Sequence, residues 1–164
     1  MPCSKNVHKS GQASTERNTF MAREFVFERV QMVPQLLADV FQFYADPRNL
    51  ARITPPWLHF RMVSDGPLEM RAGLRIDYRI RPLWVPQRWT SEITVWDPPH
   101  RFVDEQWRGP YRRWHHEHTF RAIGDGTEIR DRVEYALPFG PLGSLAHAVF
   151  VRRQLEAKIG RAHV

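Results

Sequence analysis

The chain has 164 residues, 42% of them hydrophobic and 12% aromatic, including six Trp, and a net charge of +6 with neutral histidines. That is one domain's length with enough apolar mass for a core, and its single cysteine, Cys3, excludes an internal disulfide framework or a thiolate zinc site. No apolar run approaches the roughly 20 residues of a membrane-spanning helix, and the positive charge forms no polybasic run or nucleic-acid motif, so no nucleic-acid partner is expected.

Residues 1–20 are rich in Ser, Thr, Asn, Lys and Gly and read as a disordered tail. No apolar segment there suits a secretory signal, so a cytoplasmic location is expected. Met21 is a candidate start, because strand patterning begins just after it. The domain is expected over residues 21–158, and Ile159 to Val164 reads as a non-native tail.

The first strand is expected from Glu24 to Met32. Phe25 and Phe27 fall on one face, Val26 and Val30 on the other, so its buried side is not decided. Pro34 suits the first turn of a helix, and Leu36, Leu37, Val40, Phe41 and Tyr44 follow at helical spacing. Asp46 caps a second short helix, with Pro47 in its first turn and Leu50 and Ile53 pointing inward. Pro55-Pro56 ends it.

Short strands follow. Leu58 to Ser64 is one. In the next, Leu74, Ile76, Tyr78 and Ile80 alternate with Arg75, Asp77, Arg79 and Arg81, and the arginines read as solvated outer-face charges. Arg88 to Trp96 places Trp89, Ser91, Ile93 and Val95 on one face. Asp97 to His100 is a turn. Arg101 to Trp107 puts Phe102, Asp104 and Gln106 together, and Gly109-Pro110 turns the chain again. Gly124-Asp125-Gly126 signals a hairpin, and the last strand gathers Ile129, Asp131, Val133, Tyr135 and Leu137. After a linker from Pro138 to Gly143, Ser144 caps a final helix to about Lys158, with Leu145, Val149, Arg152 and Leu155 near one stripe.

Between the two turns lies the most informative stretch. Trp114, His116, His118 and Phe120 occupy one face of a strand, and Arg113, His115, Glu117 and Thr119 the other. A purely structural strand favours Val, Ile or Leu inside. Two inward imidazoles need partners, because an unpaired buried polar group costs about 1–3 kcal/mol. Alternation supplies them: Asp104, Gln106 and Asp131 fall on the same side, walled by Tyr78, Trp89, Trp114, Phe120 and Tyr135.

The order is strand, two short helices, about six antiparallel strands and a long helix. It predicts an α+β fold in which a curved antiparallel sheet of about seven strands wraps the C-terminal helix, leaving a gap for a pocket. Several stretches carry a resemblance: Asp46-Pro-Arg-Asn-Leu50, Thr54-Pro-Pro-Trp-Leu58, Phe102-Val-Asp-Glu-Gln106, Gly109-Pro-Tyr-Arg-Arg-Trp114, His116-x-His118-x-Phe120 and Asp131-x-Val-x-Tyr-x-Leu-Pro138. Over roughly Glu24 to Lys158 the chain resembles the SRPBCC superfamily (START and polyketide-cyclase-like), and within it a subgroup sometimes fused to epimerase-like "cell division inhibitor" domains. The resemblance implies the helix-grip fold and binding, with or without transfer, of a hydrophobic or amphipathic small molecule. A minority of the superfamily catalyses cyclisation or dehydration.

Three readings of the polar cluster stay open. It is a structural network pinning strand register; or a pocket floor that orients a ligand's polar head; or a catalytic His–carboxylate pair, with His116 or His118 as general base beside Asp104 or Asp131. A regulatory interaction domain is the further alternative that a fused homologue suggests. The ligand-binding set is Tyr78, Trp89, Asp104, Gln106, Trp114, His116, His118, Phe120, Asp131 and Tyr135. His-x-His with a carboxylate permits a shared metal ion, but ion pairing explains the same residues, so neither metal nor cofactor is expected. Tyr111 and Trp107 are candidates for a pocket rim and Trp57 for a cover over its mouth. A monomer is expected, with transient membrane contact left open.

Overall fold

The computed structural model describes residues 24–81 and 84–138. The N-terminal tail with Cys3, the candidate start Met21, most of the linker, the segment from Ser144 to Lys158 where a final helix is expected, and residues 159–164 lie outside the described residues.

Seven antiparallel strands form one open, curved sheet in the order β1-β7-β6-β5-β4-β3-β2. They are β1 (Glu24–Val33), β2 (Arg61–Met62), β3 (Arg75–Ile80), β4 (Gln87–Asp97), β5 (Arg101–Arg108), β6 (Arg113–Ile123) and β7 (Gly126–Ala136). From β5 onward, every strand meets its predecessor through a short turn, as antiparallel pairing allows. The β6–β7 hairpin closes tightly: Ile123 pairs with Gly126, and Gly124 sits at a φ of 57° that suits glycine. Gly126 has a second reason to lack a side chain, because a Cβ there would lie 2.8 Å from the Val33 carbonyl oxygen.

Period-two patterning reads correctly in β3, β5, β6 and β7. Ile76 and Tyr78, Phe102, then Trp114, His116, His118 and Phe120, then Ile129, Asp131, Val133 and Tyr135 are all buried on the inner face. In β1 the inner set is Phe25, Phe27, Arg29, Gln31 and Val33, while Val26, Val30 and Met32 are exposed.

Four local expectations need correction. The first helix, α1 (Leu37–Tyr44), begins three residues after Pro34, and Leu36 is exposed ahead of it. The chain is held back there because Val33 still pairs with Thr127, whose hydroxyl donates to the Gln35 carbonyl at 2.8 Å. The segment from Leu58 to Ser64 contains only the two-residue β2; His59 adopts φ 45°, which breaks the strand on its N-terminal side. Leu137 falls beyond β7, which ends where Ala136 pairs with Glu24. Finally, Val95 does not join Trp89, Ser91 and Ile93. Ile93 opposes Asp104 and Val95 opposes Val103, so Thr94 is a bulge residue. The bulge turns Trp96 inward onto Phe41, at 5.2 Å between ring centroids, and Phe102, at 5.9 Å.

The second short helix is continuous in two pieces, a 3-10 turn (Pro47–Asn49) and α2 (Leu50–Ile53). Asp46 caps it as expected, accepting from the Arg48 amide at 3.0 Å. Val40, Phe41 and Tyr44 of α1 dock on one end of the inner sheet face, with Phe41 and Tyr44 set edge-on to Phe120. Trp89, Tyr111, Trp114 and Tyr135 form a second aromatic cluster toward the opposite end. The space between the two clusters is the candidate site.

Candidate functional site

Strand register assembles the polar cluster. Across the β5–β6 ladder Asp104 faces His116, and across the β6–β7 ladder His118 faces Asp131. Each histidine has an apolar residue on its other flank: Val133 beside His116, and Phe102 stacked on His118 at 4.2 Å. The two imidazoles lie against each other at 3.8 Å between centroids. Each carboxylate therefore reaches both rings. Asp104 Oδ1 lies 3.4 Å from His116 Nδ1 and 3.3 Å from His118 Nε2. Asp131 Oδ1 lies 2.7 Å from His118 Nδ1 and 3.4 Å from His116 Nε2.

These are charge contacts more than aligned hydrogen bonds. Only His118 Nε2 to Asp104 has hydrogen-bond geometry, and His118 Nδ1 and His116 Nε2 are buried without an aligned partner among the described residues. The Asp131 carboxylate thus sits close to both rings but out of line with their N–H directions, where attraction between charges persists and directional bonding does not. Arg29, which the undecided face of β1 concealed, stands directly across the β1–β7 ladder from Asp131, half-buried on the same side.

Environment drives the two histidines apart. Burial disfavours a charged His118, but the hydrogen bond it donates to Asp104 and the close Asp131 and Asp104 charges outweigh it, lifting its pKa from 6.5 to about 9. Burial lowers the pKa of His116, and the neighbouring His118 charge lowers it further against the pull of both carboxylates. Burial also penalises ionised Asp131, yet its contacts with the two histidines hold its carboxyl well below the usual range. At neutral pH the pair therefore carries one proton charge, centred on His118.

A cavity of about 110 Å³ opens beside this floor, well above the roughly 10–15 Å³ that one water needs. The sheet contributes Ile76, Tyr78, Ser91, Ile93, Phe102 and Trp114; the helical side contributes Phe43, Tyr44, Asn49, Leu50 and Ile53; Met70 comes from the loop before β3. Tyr44 brings a second unanswered group: its hydroxyl is buried with no hydrogen-bond partner among the described residues. Burial and the Asp131 charge raise its pKa, so it stays a neutral donor.

Of the residues singled out from sequence, Tyr78, Asp104, Trp114, His116, His118 and Asp131 line this cavity. Trp89, Gln106, Phe120 and Tyr135 are not among its described lining residues. The Trp89 indole donates to the Ser91 hydroxyl at 3.1 Å, Phe120 packs under α1, and Tyr135 backs the aromatic cluster. The Gln106 amide is taken up by the Tyr111 backbone, with bonds of 2.7 and 3.1 Å. Trp57 and Trp107 are exposed, and neither they nor Tyr111 are among the described lining residues. Tyr44, Phe43, Asn49 and Met70 were missed; helical spacing marked Tyr44 as inward but could not say against what.

Asp104, His116 and His118 each offer one ligating atom, all within 4.8 Å of one another, a spacing a cation can share. Asp104 already answers the His118 charge there, and His116 lies 3.4 Å from the same carboxylate oxygen. Among the described residues no helix is long and apolar enough to cross a membrane.

A sequence model of the family described as polyketide cyclase / dehydrase and lipid transport matches residues 33–163. No curated protein sequence matches the chain. Solved structures agree on the fold. A Thermus thermophilus protein shares 18% identity at a TM-score of 0.62, over 82% of this chain and 88% of its own. A START superfamily protein from Mycobacterium smegmatis shares 8% at 0.60, over 83% and 95%. A norcoclaurine synthase point mutant from Thalictrum, in complex with a transition-state analogue, shares 16% at 0.63, over 85% and 92%. With the open seven-stranded sheet and a family match over most of its length, the chain belongs to the polyketide cyclase / dehydrase and lipid transport family and has an SRPBCC-type fold.

Proposed function

We propose that this ligand-binding domain takes up an amphipathic small molecule, its apolar body against Phe43, Leu50, Ile53, Ile76 and Ile93 and its polar head on Asp104, His116, His118 and Asp131. The observation that carries this reading is the mismatch between wall and floor. The cavity is mainly apolar, yet Tyr44 and His116 meet at it with buried polar atoms that have no aligned partner among the described residues. Such groups cost free energy unless something bonds to them. A carbonyl or hydroxyl head group answers both, and an apolar tail fills the remainder.

Native mass spectrometry of the full chain tests it. The expected result is a co-purifying small-molecule mass that is reduced by Leu50→Trp, which fills the cavity, and lost in His116→Phe/His118→Phe. Retention of that mass in both variants would sink the proposal, as would an empty wild-type chain that takes up none of a panel of fatty acids, sterols and aromatic polyketides.

One observation favours a second, enzymatic reading. The imidazoles are in contact and shifted in opposite senses, a cation at His118 and a neutral ring at His116. Divergent neighbours of this kind supply an acid and a base at one pH. His118 would donate to a carbonyl oxygen while His116 accepts a proton from the adjacent carbon, as cyclisation or dehydration requires. General-base work by His118 itself is disfavoured, because its proton is held. Turnover of a poly-β-ketone probe that is lost in His116→Gln, with the bound mass retained, would separate catalysis from binding.

A further inference from the structure

The outer face of the sheet carries a feature unrelated to the cavity. Arg61, Arg79 and Arg88 are direct neighbours across β2, β3 and β4, since Arg61 pairs with Arg79 and Arg79 with Arg88. All three are exposed, and among the described residues none is ion-paired. Elsewhere on the same face arginines meet carboxylates: Arg75 with Glu92 at 2.7 Å, Arg101 with Glu117 at 2.8 Å, Arg113 with Glu24 at 2.9 Å and Arg132 with Glu28 at 2.9 Å. The acidic side chain nearest in register, Asp77, sits one row away and already accepts from Thr90 at 2.6 Å. Like charges placed directly opposite on a sheet repel. Three in line make a row that an external anionic surface relieves.

The end of this row is apolar. His59, two residues before Arg61, packs on Trp84 at 5.2 Å between centroids. Trp84 is 78% exposed, Val85 is 55% exposed, and Trp57 lies just before His59 with 37% exposure. Arg81, two residues after Arg79, is exposed as well. Arginine heads beside an exposed indole are the groups that settle at a lipid headgroup boundary. Single-stranded RNA would instead call for rings interleaved among the arginines on the strand faces, and the row itself has none.

We infer that the β2–β3–β4 outer face is a docking surface for an anionic lipid bilayer, with Arg61, Arg79 and Arg88 on the headgroups and Trp84 inserted at the boundary. The inference stands apart from the cavity, which opens on the opposite face of the sheet. Each arginine close to such a surface strengthens binding about fivefold, and the effect weakens with salt.

The test uses the full chain with vesicles of phosphatidylcholine alone and of phosphatidylcholine mixed with phosphatidylglycerol, read by co-sedimentation at low salt. The wild type is expected to bind the mixed vesicles and not the neutral ones. Arg61→Gln/Arg79→Gln/Arg88→Gln should weaken that binding on the order of 100-fold, and Trp84→Ala should weaken it less. The control Arg113→Gln/Arg121→Gln/Arg132→Gln removes the same number of charges from ion-paired positions and should change binding by no more than a few fold. Equal loss in the two triple variants would reduce the effect to net charge and overturn the proposal. So would a wild type that ignores both vesicles, or one that instead binds a labelled single-stranded RNA through the same three arginines.

Discussion

His118 and Asp131 face each other across the β6–β7 ladder with Nδ1 and Oδ1 2.7 Å apart, and both are almost wholly withdrawn from solvent. A cation and an anion placed so close inside a sheet bias the titrations of His116 and Tyr44 beside them. His116, two residues back on the same strand face, is lowered partly because His118 already holds the charge. Tyr44, above them, is kept neutral partly by Asp131. The floor of the cavity thus sets one firmly held proton on His118 beside a neutral His116 and a neutral Tyr44 hydroxyl.

This charge makes stability depend on pH with a definite sign. The folded pKa of His118, about 9, lies above its ordinary 6.5. The folded chain binds that proton more tightly than the unfolded one, so the contribution is complete below about pH 6.5 and lost as pH rises through about 9. His116 works oppositely: its folded value is lowered, so its contribution is present above about pH 6.5 and lost as pH falls. Between about pH 7 and about pH 9, the urea midpoint of the wild type should therefore decline. A His118→Gln variant should be flat over that window. A wild-type profile as flat as the variant's would show that His118 has no raised affinity for its proton.

The two carboxylates should not be equivalent. The Asp131 side chain is 4% exposed and that of Asp104 is 18% exposed. Removing one partner of a buried pair leaves the other charge stranded, at about 3–5 kcal/mol. Asp131→Asn should approach that cost and bring the His118 titration, followed by NMR, down toward or below its ordinary value. Asp104→Asn, closer to water and the cavity, should cost about half as much. Equal losses would mean that the cluster behaves as one unit without a dominant pair.

How much of this was legible in the sequence depended on local regularity. Where one face was plainly apolar and the other charged, as from Arg75 to Arg81, period two placed every side chain, and it did so again from Trp114 to Arg121, where two inner positions are imidazoles. The His116, His118, Asp104 and Asp131 cluster followed from three such strands in register. β1 was not legible, because it is an edge strand with Val26, Val30 and Met32 outward and Arg29 and Gln31 inward. Its residues invert the usual pattern, and Arg29 was hidden as a result. The helical wall was half-legible: spacing marks Leu50 and Ile53 as inward, but no local rule says that they and Met70 close one cavity. Gln106 had the right face yet a different task, since its partner is backbone, and backbone partners leave no residue-type signal.

The bulge at Thr94 was equally silent, and it yields a contrast that alternation alone would reverse. Trp96 points inward onto Phe41 and Phe102, and Val95 outward beside Val103. Trp96→Ala should cost about 3 kcal/mol, as loss of a large packed side chain does. Val95→Thr, which keeps the β-branched shape at a half-buried outer-face position, should cost about 1 kcal/mol, the centre of the range for point substitutions. Thermal melts of the two variants decide between the registers. A larger loss for Val95→Thr would restore unbroken alternation through β4 and refute the bulge.

Gln106 and Gly109 form a coupled pair that fixes the turn into β6. The Gln106 amide donates to the Tyr111 carbonyl at 2.7 Å and accepts from the Tyr111 amide at 3.1 Å, standing in for a strand partner. A Cβ at Gly109 would fall 2.2 Å from Gln106 Oε1, so the side chain occupies the space that glycine leaves. Gln106→Ala should cost about 1–2 kcal/mol by stranding the Tyr111 backbone groups. Gly109→Ala should cost about 1–3 kcal/mol by forcing Gln106 aside. Once Gln106 is truncated, the alanine at 109 has room. The double variant should therefore be no less stable than Gln106→Ala alone, a strong departure from additivity. If the two losses simply added in urea unfolding, Gly109 would be required for its backbone conformation and not for the space it yields. The site consequence is direct, because Tyr111 packs on Trp114 at 4.9 Å between centroids and Trp114 lines the cavity. Loosening the turn should also weaken ligand retention, while leaving the His118 titration where it was.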